Sequence, residues 1–299
     1  MKLKKLVAIE PVLFLPEGKK EAKTYCEEAI FYETEPVDSQ EIISRIGDAD
    51  GILVSFKNKI GAEILSACPN LKYIGMCCSL YSEASCNVDI RYARERGITV
   101  AGIRDYGDEG VAEYIVGELI QMLHGTKDRP PFFGEPCELL HLKVGMLGMG
   151  AVAQCVAGAL AYFGADICYY SRTRKPEMEQ KGYEYRELDS LLQTCDVICS
   201  CLSKNVVLLH RQEFEQMGEH KILFNTSLSP SFDLPAIKEW LKKKNTFYFC
   251  DTLMGLGFQE LLEYPNVFCQ NRPAGTTRQA IQRLNEKVLK NLKEYTAMA

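Results

Sequence analysis

Leu142-Lys143-Val144-Gly145-Met146-Leu147-Gly148-Met149-Gly150-Ala151-Val152-Ala153 is the stretch on which the fold turns. An apolar strand runs into Gly-x-Gly-x-x-Ala, which opens a helix over Gln154 to Phe163. Gly148 permits a tight turn, Gly150 lets a pyrophosphate come close to the backbone, and Ala153 lets helix and strand pack. The helix start offers free N–H groups and the positive end of a dipole. Together with Met149, Ala151 and Val152, these glycines are the candidate phosphate-binding residues.

A second strand, Asp166 to Tyr170, ends about twenty residues on, where such folds read the ribose. An enzyme using NAD offers a carboxylate there to accept from the 2′-hydroxyl. This chain offers Ser171-Arg172-Thr173-Arg174-Lys175. Hydroxyls and cations suit a 2′-phosphate, which Arg grips bidentately. Ser171, Arg172, Thr173 and Arg174 therefore predict NADP(H), with NAD(H) the alternative.

Working outward, short apolar runs alternate with helical patterns, which reads as βαβ units and parallel sheets. On the N-terminal side the expected strands are 6–9, 51–54, 71–75 and 98–101, with helices over 61–67 and 89–96. Gly97 closes the second of these helices. Residues 109–123 form a helix with a wide apolar face. The Gly- and Pro-rich segment 124–140 is a connector. On the C-terminal side the expected strands are 144–147, 166–170, 197–201, 222–225, 247–250 and 267–269. A polar helix over 277–295 carries Ile281, Leu284, Val288 and Leu292 on one stripe. The first hundred residues thus read as one compact α/β unit, and a second βα series, which holds the glycine turn, follows the connector.

Composition narrows the function classes. Lys+Arg 35 against Asp+Glu 40 gives −5 and a pI near 5.6, which argues against a nucleic-acid binder. No run approaches eighteen apolar residues, so no membrane span is expected, and the N-terminus lacks a signal-peptide pattern. Thirteen cysteines, an odd number, lie mostly in apolar runs (Cys155, Cys168, Cys199, Cys201, Cys250). They read as reduced, buried thiols of a cytoplasmic protein. Neither Cys199-x-Cys201 nor Cys77-Cys78 has a second ligand pair at zinc spacing, so no metal site is expected.

Several stretches, taken in order, resemble the D-2-hydroxyacid dehydrogenase family, which includes phosphoglycerate, hydroxypyruvate/glyoxylate and formate dehydrogenases. They are Ala49 to Val54, Pro69 to Gly75, Asn87-Val88-Asp89, Glu95 to Val100, Val111-Ala112-Glu113 and the glycine loop. Leu223 to Ser227, Pro265-Asn266-Val267 and Ala274 to Thr277 complete the set. The resemblance implies an α/β chain of two doubly wound parallel-sheet domains, a flavodoxin-like substrate domain over 1–103 plus 276–299 and a dinucleotide-binding (Rossmann) domain over 104–275. It implies an oxidoreductase whose active site lies in a cleft between them and takes a small 2-oxo or 2-hydroxy acid. It also implies cofactor contacts at Thr226 and Asp251.

The resemblance further implies a catalytic Arg, Glu and His, and here the chain departs from it. The Arg position is Leu228. The Glu position falls near Leu256 or Gly257, and the nearby Glu260 registers with a loop residue. The His position is Arg272, which is always protonated and cannot shuttle a proton near neutral pH. Arg272 is instead a candidate clamp for an anionic substrate. Tyr81 and Lys57, the latter with a lowered pKa, are alternative proton donors. The four histidines, His124, His141, His210 and His220, read as connector or surface residues. Residues 76–86 form a longer loop than the family's Gly-rich one. Residues 124–140 are short for the family's dimer arm, so a homodimer is open. The alternative reading is a non-catalytic NADP(H)-binding sensor or partner-binding protein.

Overall fold

The structure, a computed structural model, describes residues 2–83 and 86–298. It divides into two compact units, residues 1–106 with 277–299 and residues 107–276.

The first unit begins with β1 (Leu3–Ala8), α1 (Pro16–Ala22), β2 (Cys26–Phe31), α2 (Ser39–Ile46) and β3 (Gly51–Val54). It continues with α3 (Ala62–Ala67), β4 (Tyr73–Ser79), α4 (Ile90–Glu95) and β5 (Thr99–Ile103). The sheet is parallel, in the order β2-β1-β3-β4-β5, the flavodoxin-like winding. Successive strand residues alternate between two cores, as the pleat requires. Val7, Ile52 and Ile74 pack under α2–α4, and Leu6, Leu53 and Tyr73 pack on the other face.

Two expectations are corrected here. Met76, Cys77 and Cys78, expected in a loop, extend β4 and are buried on its two faces. Ser79 ends the strand, residues 80–82 and 86 carry no helix or strand, and residues 84 and 85 lie outside the described residues. The elements from α1 to α2, with β2 between them, had no counterpart in the sequence reading.

The second unit opens with α5 (Asp108–His124), β6 (Lys143–Leu147), α6 (Ala151–Tyr162), β7 (Asp166–Tyr170), α7 (Pro176–Glu179), β8 (Glu184–Tyr185) and α8 (Leu188–Thr194). It closes with β9 (Val197–Ser200), α9 (Arg211–Met217), β10 (Lys221–Asn225), α10 (Leu234–Trp240), β11 (Thr246–Cys250), α11 (Leu253–Leu256) and β12 (Val267–Cys269). Its parallel sheet runs β12-β11-β10-β9-β6-β7-β8. The order reverses between β6 and β9, the position where such sheets bind ligands. One face is covered by α5 and α6, the other by α8, α9 and α10 around the fully buried Trp240.

The connector after α5 has no helix or strand of its own but is pinned down. The Arg129 guanidinium lies 4.0 Å from the Phe268 ring centroid and bonds Glu118 at 2.9 Å. The chain enters and leaves this unit at Gly107 and Gly275, whose backbones touch. A Cβ on Gly107 would sit 2.5 Å from the Gly275 carbonyl oxygen.

The final helix, α12 (Arg278–Met298), returns to the first unit. Leu284, Val288 and Leu292 fill the core beside Leu6 and Tyr73. Asn285 accepts from the Leu15 N–H at 2.8 Å and donates to the Leu13 carbonyl at 3.1 Å. Among the described residues no helix is long and apolar enough to cross a membrane.

Candidate active site

The glycine turn joins β6 to α6 as its sequence demands. Gly148 has φ +89°, a conformation open to glycine, and its N–H donates to the Tyr170 carbonyl at 2.8 Å. A Cβ there would stand 3.1 Å from the Cys201 carbonyl oxygen. Gly150 is the N-cap of α6, and no side chain caps the helix or places a carboxylate in its first turn. A Cβ on Gly150 would meet nothing within 4 Å. Uncapped N–H groups therefore face open space at a positive helix end, which fits a pyrophosphate. Gly150 and Ala151 are exposed and Val152 is half-buried, whereas the side chains of Met149 and Ala153 sit in the core. Met149 thus has only its backbone to offer a ligand.

At the end of β7 the basic turn is less uniform than its sequence. The Ser171 hydroxyl donates to the Thr173 carbonyl at 2.7 Å and holds the turn closed. Arg174 forks onto Glu179, 2.7 Å to each carboxylate oxygen, and lies over the Tyr185 ring. The Arg172 guanidinium is exposed and has no hydrogen-bond or ion-pair partner among the described residues.

The carboxyl ends of β9, β10 and β11 gather buried polar atoms. The hydroxyls of Ser200 and Ser227 have no hydrogen-bond partner within the described structure. Thr226 is half-buried, and its hydroxyl likewise has no hydrogen-bond partner within the described structure. Burial pushes the nearby Cys201 thiol up to about 12. Such groups fit a polar ligand, because a buried hydroxyl without a partner is unfavourable. Asn225 holds the neighbouring loops, donating to the carbonyls of Ser229 (3.1 Å) and Gly255 (2.9 Å). Asp251 is 6% exposed and accepts from the Ala274 N–H at 2.9 Å. Burial pushes its carboxyl above the ordinary range, and the Ala274 N–H works against that shift. Its backbone carbonyl takes the Arg272 N–H at 2.7 Å, which sets Arg272 beside the end of β11. The Arg272 side chain is exposed, and among the described residues no partner holds its guanidinium.

The other positions singled out from the sequence divide clearly. Leu228 is 49% exposed on the loop after β10, whereas Leu256 is fully buried. Glu260 pairs with Lys238 at 3.3 Å. All four histidines are exposed, and His210 pairs with Asp233 at 2.5 Å. All thirteen cysteines are free, but Cys155 and Cys201 are half-buried rather than buried.

In the first unit, Lys57 binds the Glu35 carboxylate at 2.5 Å. Tyr81 lies under the Arg104 guanidinium, 5.6 Å from ring to carbon. Sequence reading missed Glu10. It is wholly buried just past β1, accepting from the Ser55 N–H at 2.7 Å and from the Asn58 amide. Burial pushes its carboxyl up, opposed by the Ser55 bond. The folded state thus favours the protonated form, so this group's contribution is full below the ordinary carboxylate pKa and fades as pH rises through the raised value. Glu10→Gln should be more stable than the parent at about pH 8 and lose that pH dependence, read from urea unfolding at about pH 5 and 8.

Comparison with known proteins agrees with this geometry. Residues 121–271, half of the chain, match the family model described as D-isomer specific 2-hydroxyacid dehydrogenase, NAD binding domain. A glyoxylate reductase of Thermofilum pendens is 27% identical over 305 residues, spanning 93% of this chain and 88% of that one. A hydroxypyruvate reductase of Blautia hydrogenotrophica is 29% identical over 222 residues, 68% of this chain and 67% of its own. Among solved structures, the apo D-lactate dehydrogenase of Escherichia coli superposes with a TM-score of 0.78 at 21% identity, covering 98% of this chain and 97% of that chain. An acyclic imino acid reductase in complex with NADPH and D-Arg gives 0.81 at 19%, over 98% of this chain and 97% of that one. With a nucleotide turn, a strand order and a sequence profile all of one kind, the chain belongs to the D-isomer specific 2-hydroxyacid dehydrogenase family.

Proposed function

We propose that the protein is an NADP(H)-preferring oxidoreductase acting on a small anionic carbonyl or hydroxy compound. The observation that carries this reading is the turn from Gly148 to Ala153, uncapped and open at Gly150, beside a β7 end bearing Arg172. Gly148, Gly150, Ala151 and Val152 would take the pyrophosphate, and Ser171, Arg172 and Thr173 the 2′-phosphate. Thr226, Ser227 and Asp251 would meet the nicotinamide end. The bound cofactor would supply or accept a hydride.

Arg272, unpaired and permanently charged, would hold the substrate anion electrostatically. A guanidinium does not exchange its proton in this way near neutral pH, so the proton comes from solvent or another side chain. The free thiols accord with a cytoplasmic location.

The 2′-phosphate preference resides mainly in Arg172, because the charge of Arg174 is already matched by Glu179. Arg172→Asp with Arg174→Ser should weaken NADPH binding by about a hundredfold and leave NADH within about threefold. Energy transfer from Trp240 to the bound dihydronicotinamide gives the readout. An unchanged NADPH affinity would remove the preference.

A second reading starts from the departures from the family pattern. It rests on the family resemblance, which implies Arg, Glu and His at positions where this chain carries Leu228, Leu256 or Gly257, and Arg272. A non-catalytic NADP(H) sensor would bind NADPH and oxidise none of it against a panel of 2-oxo acids and aldehydes. Measured turnover with any member of the panel excludes that reading.

A further inference from the structure

Apolar side chains normally meet water singly, so several exposed on adjoining loops call for a physical reason. Such a group stands at the carboxyl ends of β9, β10 and β11. Val206 and Val207, each 41% exposed, lie on the loop after β9. Leu228, on the loop after β10, is 49% exposed. Leu253 and Met254, on α11 after β11, are 38% and 40% exposed. In that short helix Gly255 and Leu256 are buried, so the outer side is left to Leu253 and Met254.

The three loops are tied to one another. The Asn205 N–H donates to the Ser229 hydroxyl at 2.7 Å. The N–H groups of Leu208 and Leu209 share the Ser231 carbonyl, at 3.0 and 2.9 Å. These bonds join the first loop to the second. The Asn225 amide, bonded to the carbonyls of Ser229 and Gly255, joins the second to the third. A Cβ on Gly257 would stand 2.6 Å from the Pro230 ring, and one on Gly255 would stand 3.2 Å from the Ser227 carbonyl oxygen. Leu228 itself sits between Ser227 and Ser229, both held by Asn225. The apolar side chains are thus carried by fixed backbone, which keeps the entropy lost on binding small.

Their neighbours indicate what covers them. Leu228 follows Thr226 and Ser227, whose hydroxyls are buried without a hydrogen-bond partner in the described structure. Leu253 stands two residues after Asp251, and the Asp251 carbonyl takes the Arg272 N–H. Polar atoms, a cation and an apolar patch therefore share one edge of the sheet. Five partly exposed side chains present on the order of a few hundred Å², enough for one small organic group and short of the ~800 Å² that a partner protein covers.

We propose that these side chains receive the apolar side chain of the substrate. The inference rests on the oxidoreductase function proposed above and narrows its substrate to 2-oxo or 2-hydroxy acids with an aliphatic side chain. The carboxylate lies toward Arg272, and the aliphatic group toward Leu228, Leu253 and Met254. A leucine where the family resemblance implies an arginine accords with this. A guanidinium in place of Leu228 would set a charge against the aliphatic group and lose hydration to no purpose.

The test is a series of 2-oxo acids of rising length, each with NADPH: glyoxylate, pyruvate, 2-oxobutanoate, 2-oxopentanoate and 4-methyl-2-oxopentanoate. kcat/KM should rise about threefold to fourfold with each added methylene. Leu228→Asn and Met254→Gln should each lower the ratio of 4-methyl-2-oxopentanoate to glyoxylate by about tenfold. Leu140→Asn should leave that ratio unchanged, because Leu140 is 57% exposed beside Gly164, past the far end of α6. A series that is flat or falls with length overturns the inference and leaves the oxidoreductase reading in place. Turnover of none of these acids counts against that reading, and the patch is then judged by binding. In calorimetric titration of the same acids into the protein with NADPH present, affinity should rise by the same factor per methylene. Equal affinities, or binding of none, overturn the inference with or without turnover.

Discussion

Gly150→Asp is expected to abolish nucleotide binding while leaving the protein at least as stable as the parent. Gly150 sits at the N-cap with φ −80° and ψ −173°, a conformation that Asp adopts without strain. A Cβ there meets nothing within 4 Å, so the new side chain fits. Its carboxylate can accept from the first-turn N–H groups, which favours Asp over Gly by a few tenths of a kcal/mol. The same carboxylate takes the place assigned to the pyrophosphate. Two like charges about 4 Å apart at an effective dielectric near 20 repel by about 4 kcal/mol, roughly a thousandfold in affinity. Thermal melting and an NADPH titration together check it. A melt that rises or holds, with affinity lost, is the expected pair of results. An unaltered affinity with an intact melt would place the phosphates elsewhere.

Asn225→Leu should destabilise the second unit by about 2–4 kcal/mol, although the two side chains share the same heavy-atom count and branching. Asn225 is fully buried at the end of β10. Its loss leaves the Ser229 carbonyl and the Ser227 N–H without their bonds at 3.1 Å and 3.3 Å. The Gly255 carbonyl fares better, because the Tyr248 hydroxyl also donates to it at 2.8 Å. The loops so released carry Thr226, Ser227 and Leu228, so weaker NADPH binding should accompany the lower stability. Urea unfolding measures the first effect. Asn225→Asp keeps the Ser227 bond and should recover less than half of the loss, because an ionised carboxylate cannot donate to the Ser229 carbonyl.

How much of this was legible in the sequence follows from what each residue type encodes locally. The turn from β6 to α6 was readable because glycine spacing and apolar periodicity both mark it. The second half of β4 was hidden. Met76, Cys77 and Cys78 are buried on both faces, so they show no alternation, and cysteine is a poor signal of a strand. β2 was hidden for the opposite reason. It is an edge strand carrying exposed Glu27 and Glu28, which read as loop. In the site, Arg174 and Arg172 look equivalent in sequence. Only the fold brings Glu179 round on α7 to occupy one of them. Glu10 was equally silent, since nothing in its neighbours announces that Ser55 and Asn58, more than forty residues away, will enclose it.

The return of α12 to the first unit has a consequence for biosynthesis. Leu284, Val288 and Leu292 cover one face of that unit's sheet, and Asn285 secures the Leu13–Leu15 backbone. As the chain emerges from the ribosome, residues 1–106 therefore wait with an apolar surface bare. The later-made nucleotide unit has all its own parts by residue 276 and can finish folding first. The nascent N-terminal segment is thus a natural client for a chaperone until the last helix arrives.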